Sequence, residues 1–500
     1  MRIQILSLLL IFLCFNLQPA QANKRELRAG WIATVSNIDW PSRPGLPAVQ
    51  QQQEFIARLD QLKYLGCNAV IVQVRPVADA FYESSFEPWS RFLTGKVGRE
   101  PFPYYDPLEF MIREAHKRNM EFHAWFNPFR VLTDSRKNPN PPEHVTRKHP
   151  NWLIHYGGKT VLDPGIPEAR EYVIRVIMEV VKKYDIDAVH MDDYFYPYRV
   201  AGQEFGDATS YKKYGGDFEN RDDWRRNNVN LFVSALSRNI KSEKSYVKFG
   251  ISPFGVWRNA DKDPEGSKTR GGQTNYDDLY ADVLLWQKEG WVDYCLPQLY
   301  WEHNHRLVAF EILRPWWELH QYNRHMYYGL GVYRMVDAVK PPWNSPKELM
   351  KQLRDIRENT KNPGYVFYST SSFDKIRSSL KDSIQAFNRY IAFPPTMAWI
   401  DSVPPQPPVL RSIPSGKGTI LRWEAANPGR ETLRYAVYRF NNDETVDLNR
   451  NDRIIALTTD TEFLDDKASG FKRSYYVVTA LDRLWNESAP SNVSVTSVGN

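Results

Sequence analysis

Cysteine is scarce in this chain, with only Cys14, Cys67 and Cys295 in 500 residues. That excludes a small scaffold stapled by disulfides. Beyond the first two dozen residues no apolar run is long enough to span a bilayer, which excludes a multi-span membrane protein. Charge of one sign is lacking too: 65 Lys and Arg face 59 Asp and Glu, and the signs alternate locally, as in NRDDWRRNN. Nucleic acid is therefore not an expected partner. The sequence holds no HExxH, no CxxC pair, no P-loop and no GxSxG elbow. Zincin, phosphate-cradle and serine-nucleophile chemistries lose their usual signatures, and neither a metal nor a cofactor is expected. What the chain has in quantity is aromatic rings: 16 Trp, 28 Tyr and 25 Phe. Such rings build large cores and also stack on sugars.

The one long apolar run is N-terminal. Arg2 precedes ILSLLLIFLCFNL, which ends at QPAQAN. Ala20, Gln21 and Ala22 form a small-x-small cleavage pattern, so residues 1–22 read as a signal peptide and the mature chain is expected to begin at Asn23. The IFLC run lacks the small residue that precedes a lipidated cysteine, which argues against a lipid anchor. The expectation is an exported protein, periplasmic or extracellular. Cys67 and Cys295 would remain, on opposite sides of the fold, as unpaired buried thiols.

Strand-like runs recur at 27–35, 68–76, 120–128, 185–193, 247–255, 292–300, 326–334 and 364–372. Amphipathic stretches lie between them, for example at 50–65, 106–118, 168–184, 222–241, 277–289 and 345–359. Strand alternating with helix predicts a parallel sheet, and eight repeats predict closure into a (β/α)8 TIM barrel over 23–393. A doubly wound sheet would need a glycine-rich phosphate turn, which is missing. FPPTMAWIDSVPPQPPVL concentrates proline, and residues 394–408 read as a linker. Residues 409–500 show short β-type runs without helical period, the pattern of a small all-β sandwich. YYVVTALDRLWNESAPS within them looks like the last strands of a fibronectin type III module. Packing on the barrel and peripheral association with the cell envelope are both open to that module.

Strand parity locates a candidate site. Val70, Val72 and Val74 oppose Ile71, Gln73 and Arg75; Phe122, Ala124 and Phe126 oppose His123, Trp125 and Asn127. Val189 and Met191 oppose His190 and Asp192, and Pro297 and Leu299 oppose Gln298 and Tyr300. The helices need the apolar face, so the polar sets should face the lumen, near the C-terminal strand ends where barrel enzymes carry their catalytic residues. Within HMDDYFYP, the adjacent Asp192 and Asp193 can share one proton or divide acid and electrostatic roles. Glu302, in PQLYWE, offers a further carboxylate, and carboxylate pairs flanking a cleft are the machinery of glycoside hydrolysis. Trp125, Tyr194, Trp257, Tyr300, Trp301 and Tyr333 are candidate walls for a sugar, while Arg75 and Arg130 would hold an acidic substituent or pair with Asp79 or Asp192.

The segments ELRAGWIATVSNIDWP, VIVQVRPVADAFYESSFEPWS, EFHAWFNPFR, VLDPGIPEAR, DAVHMDDYFYP, DWRRNNVN, GISPFGVWRN and LPQLYW occur in that order. They resemble the motifs of the family-ten glycosyl-hydrolase-like proteins of bacterial envelopes over about residues 25–392. The resemblance implies a (β/α)8 barrel, export and action on envelope glycans; some members hydrolyse peptidoglycan strands stripped of their peptides. DAVHMDDY is also similar to the DxxDxDxE strand of chitinase-type barrels, with Asp187, His190 and Asp192 on the first three marked positions and Tyr194 replacing the last acid. The leading expectation is an exported glycoside hydrolase acting on a polysaccharide. Its rivals are a non-catalytic glycan-binding protein on the same scaffold and an amide- or ester-cleaving envelope enzyme.

Overall fold

The computed structural model describes residues 23–135, 140–415, 417–424, 434–441, 444–467 and 473–497. The expected signal peptide and Cys14 lie outside them. Eight parallel strands form a ring: β1 (Leu27–Ile32), β2 (Ala69–Arg75), β3 (Glu121–Phe126), β4 (Ala188–Met191), β5 (Lys248–Ile251), β6 (Tyr294–Cys295), β7 (His325–Met326 and Tyr328–Gly331) and β8 (Gly364–Tyr368). The two segments of β7 close it. The first pairs with β6, placing His325 opposite Tyr294, and the second pairs with β8, placing Tyr328 opposite Tyr365. Between the segments, the Tyr327 amide donates to the Cys295 carbonyl at 2.9 Å.

A helix follows each strand: α1 (Ala48–Tyr64), α2 (Pro107–His116), α3 (Pro167–Lys183), α4 (Arg221–Glu243), α5 (Val283–Lys288), α6 (Phe310–Leu319), α7 (Lys347–Asn359) and α8 (Ser378–Phe387). Their starts are written locally. Asp106 caps α2 by accepting the Leu108 and Glu109 amides, with Pro107 supplying the preset first turn. Asn220 caps α4 through the Asp222 amide. An excursion after β3 forms a small antiparallel sheet from Arg130–Leu132, Leu153–Tyr156 and Lys159–Leu162.

The parity expectation separates two cores. Val70, Val72, Val74, Phe122, Phe126, Val189 and Met191 pack outward against the helices, each buried side chain contributing roughly 1.5–3 kcal/mol. Trp31, Ala69, Ile71, Trp125, Ala188, Tyr294 and Tyr327 fill the lumen instead. Barrel interiors are ordinarily layered with branched aliphatics; here large rings lie against glycine. A Cβ on Gly250 would stand 1.9 Å from the Tyr294 ring, and one on Gly329 would stand 2.8 Å from Trp31. Cys67 and Cys295 are both buried and free; burial pushes the Cys67 thiol up to about 12.

The polar lumen residues satisfy one another in a column along the barrel axis. Trp31 Nε1 donates to His190 Nε2 at 3.4 Å. His190 Nδ1 and His123 Nδ1 contact the Tyr294 hydroxyl at 3.0 and 2.9 Å, and His123 Nε2 reaches Glu121 at 2.8 Å. Lys248 pairs with Glu121 from β5. Burial pushes the Glu121 carboxyl up, but Lys248 and His123 outweigh it and hold it at about 2. Burial, reinforced by His123, keeps His190 well below the ordinary histidine range. A neutral His190 thus accepts from the indole and donates to Tyr294.

The C-terminal residues cover the lower mouth. The proline-rich segment carries no regular element, yet it is no free tether: Met397 and Ile400 join the lumen cluster, and Trp399 Nε1 donates to Asp293 at 2.9 Å. Beyond it lie two antiparallel sheets. One orders Val409–Ser415, Gly418–Glu424 and Glu462–Asp465; the other orders Ile454–Thr458, Arg434–Asn441, Arg473–Leu481 and Ser494–Ser497. They dock on the barrel through Trp485, whose indole donates to Glu121 Oε1 at 2.6 Å and stacks on Phe393. Arg483 reaches Asp185 at 2.7 Å.

Because no Cβ fits between β5 and Tyr294, Gly250→Ala should lower stability by about 1–3 kcal/mol or more through overpacking. Denaturant midpoints would show it, and an unchanged midpoint would mean that the lumen is not packed as described.

Candidate active site

The strand ends above the column enclose a cavity of about 380 Å³. Its floor and walls bring together Trp31, Gln73, Trp125, Arg130, Asp192, Asp193, Tyr194, Gln298, Tyr300, Trp301 and Tyr333, with Tyr198, Ser252, Arg334 and Tyr368 among the rest. Tyr300 and Tyr368 stack at 5.6 Å, Tyr333 stands edge-on to both, and Trp301 packs edge-on against Phe254. An open, aromatic-walled cavity with few ionised groups suits a ring-shaped, hydroxylated ligand.

Two carboxyls are built into it. Asp192, 7% exposed, follows β4. It accepts a hydrogen bond from Asn127 Nδ2 and a longer one of 3.3 Å from the Tyr194 amide. Asn127 is fixed in turn, accepting from Gln73 Nε2 and Arg130, while Gln73 Oε1 accepts the Thr34 and Val35 amides at 3.0 and 2.9 Å. Burial raises the Asp192 carboxyl, opposed chiefly by the Arg130 guanidinium and Asn127. Asp193 is 1% exposed and accepts from the Tyr198 hydroxyl. Burial and then the Asp192 charge push it up to about 7, with Tyr198 and Gln298 acting the other way. The physical result is one proton on two neighbouring carboxyls. Arg130 and Asn127 favour charge on Asp192, so the proton sits on Asp193. The arrangement can donate a proton near neutrality while keeping an anion beside it.

Other expected site residues do not reach the cavity. His123 and His190 face the lumen as parity requires, but they lie beneath Trp31 and are used up in the column. Asn127 stands behind Asp192 as its donor. A register shift between Gln73 and Arg75 turns Arg75 out of the lumen to pair with Glu87, Nε to Oε2 at 2.7 Å. Trp257 is buried in the helix layer, stacked on Trp316 at 5.9 Å. Glu302 does not line the cavity; its carboxylate accepts Trp343 Nε1 at 3.0 Å. The carboxylates that line the cavity are those of Asp192 and Asp193, neighbours in the chain. His303 and His305, in His-x-His spacing, bond to Glu348 and to the Leu307 and Val308 amides. Among the described residues no group of three His, Cys, Asp or Glu side chains is arranged to hold a metal ion.

Sequence reasoning passed over Trp31, Tyr198, Ser252, Arg334 and Tyr368. Parity in β1 puts Trp31 on the inward side with Ala29 and Ala33, a signal that was present. Tyr198 and Arg334 come from loops, where no periodicity speaks.

Residues 26–345 match the family described as glycosyl hydrolase-like 10. The chain belongs to that family. It is 46% identical over 485 residues to glycosyl hydrolase YngK of Bacillus subtilis, covering 95% of this chain and 94% of the relative. It is 40% identical over 356 residues to glycosyl hydrolase DigH of Escherichia coli K12, covering 67% of this chain and 80% of that one. These relationships give the chain a glycoside-hydrolase-type function. Among solved structures, an α-L-fucosidase isoenzyme from Paenibacillus thiaminolyticus aligns with a TM-score of 0.45 at 13% identity, covering 73% of this chain and 49% of that chain. The PgaB (BpsB) glycoside hydrolase domain of Bordetella bronchiseptica aligns with the same score at 10% identity, covering 73% and 98%. Both likenesses are too distant to bear on the chemistry.

The raised Asp193 carboxyl links pH to stability. The folded chain keeps a proton that the unfolded chain releases, so the contribution is full below the ordinary value of 3.8 and is lost as pH rises toward about 7. Asp193→Asn should remove that decline: its melting temperature should gain on the wild type's across this interval. A constant difference would place the Asp193 pKa in the ordinary range. Tyr198→Phe removes a bond that favours the ionised form, so the pKa of Asp193 should move further up.

Proposed function

We propose that this protein is an exported glycoside hydrolase that cleaves glycosidic bonds in cell-wall glycan strands freed of peptides. The observation that carries the reading is the buried Asp192–Asp193 pair beneath an aromatic-walled cavity, where burial raises both carboxyls. In this reading Asp193 protonates the leaving glycosidic oxygen, Asp192, kept anionic by Arg130 and Asn127, stabilises the oxocarbenium-like charge that develops at the anomeric carbon, and a water molecule then bonds to that carbon and returns its proton to Asp193. Tyr300, Tyr333 and Trp301 supply stacking surfaces, and the buried Ser252 hydroxyl, without a partner of its own, has a bond free for a ligand hydroxyl. The family and the two named hydrolases support the reaction class. The resemblance of the sequence to envelope proteins, together with the N-terminal leader pattern, supports the substrate and the export. The division into a barrel at 23–393, a connecting segment at 394–408 and a fibronectin type III-like module at 409–500 belongs to the same proposal, with the three-plus-four arrangement of strands in its favour. The C-terminal sheets dock at the mouth opposite the cavity, and a module there would face the envelope without obstructing a glycan.

Peptide-free peptidoglycan strands incubated with the purified chain should yield new reducing ends. Asp193→Asn and Asp192→Asn should each cut turnover by about 10²–10⁴-fold with the fold retained, and Glu302→Gln should stay near wild type. The rate should fall as pH rises through about 7 as Asp193 loses its proton, and in Tyr198→Phe this limb should move upward. Saturable binding without new reducing ends would instead make the protein a glycan-binding scaffold, and released amides or acids would make it an amidase or esterase.

A further inference from the structure

Among the described residues, the carboxyl and guanidinium side chains that line the cavity are four: Arg130, Arg334, Asp192 and Asp193. Arg130 is committed. Its Nε donates to the Pro76 carbonyl at 2.8 Å, its NH2 group donates to Asn127, and its charge supports Asp192. Arg334 is not. It lies in the turn Val332–Met335 that follows β7, its guanidinium carbon 5.9 Å from the Tyr333 ring centroid. Its Nε is buried without a hydrogen-bond partner, and it forms no ion pair with a described carboxylate. β3 and β7 stand on opposite sides of an eight-membered ring, so Arg130 and Arg334 enter the cavity lining from opposite sides of the mouth. With Asp193 holding its proton, the charges sum to one uncompensated positive, and it belongs to Arg334.

We infer that Arg334 is a carboxylate-binding subsite that selects glycans carrying an acidic sugar. The inference rests on the glycan reading of the same cavity and extends it from the reacting bond to the sugar that is recognised. A sugar stacked on Tyr333, which is exposed at the cavity rim, would present a ring substituent to the neighbouring guanidinium. The planar fork of Arg matches a carboxylate through two parallel hydrogen bonds, and a partly buried site strengthens them. Neutral glycans would leave the guanidinium unpaired on binding, which is the source of the selection.

The test compares two probes: peptide-free peptidoglycan strands with free lactyl carboxylates, and the same strands with those groups converted to methylamides. Calorimetry with the full Asp193→Asn chain reads binding without turnover. Amidation of the strands, or addition of Arg334→Gln, should each weaken binding by about 10-fold or more, with Arg334→Lys intermediate. On amidated strands, Arg334→Gln should cause no further loss, a non-additivity that a merely structural role would not produce. Equal binding of the two probes, an equal loss on both when Arg334 is replaced, or no binding of either would overturn the inference. Cleavage is read separately with the unsubstituted chain. Failure to cleave either probe would count against the hydrolase reading and would leave the binding comparison decisive for Arg334.

Discussion

A closed ring of parallel strands has an interior that no helix can cover, and this chain must satisfy the polar groups it places there among themselves. It does so with one column: Trp31, His190, Tyr294, His123 and Glu121, each the partner of the next. The column ends in a carboxylate neutralised by Lys248 and capped by Trp485. Its bulk explains the glycines of β5 and β7, since rings of this size fit only where the opposing strand has no Cβ. It also explains why the C-terminal sheets sit at the lower mouth, where they seal Glu121 from water.

The same constraint shapes the chemistry above it. The column ends upward in an indole, so the cavity floor is apolar apart from the Asp pair and its donors. Two carboxyls side by side in such surroundings cannot both ionise at neutral pH without heavy cost. The asymmetry between them comes from their neighbours: Arg130 and Asn127 gather on Asp192, whereas Asp193 has a phenol and an amide. Two residues of one type, adjacent in the chain, thereby receive opposite roles from their environment.

Much of this could be read from residues alone. Eight strand runs and their alternating faces predict the ring, and the inward direction of Gln73, Trp125, Asp192 and Gln298 follows from period two. Depth does not follow from parity: His123 and His190 face inward like Asp192 but lie below the Trp31 floor, and nothing in the alternation marks that level. A single bulge defeats parity at Arg75 by reversing its face. Loop residues escape it altogether, which is why Glu302 and Trp257 were expected at the cavity and lie outside it, while Tyr198 and Arg334 line it unannounced.

The account turns on where the proton of the carboxyl pair resides, and this is measured most directly by difference infrared titration of the wild type against Asp193→Asn. The account predicts a protonated-carboxyl band assigned to Asp193 that persists through the acid range and disappears around pH 7. A band lost near the ordinary value of 3.8 would contradict it, because Asp193 would then have no proton to give at neutral pH.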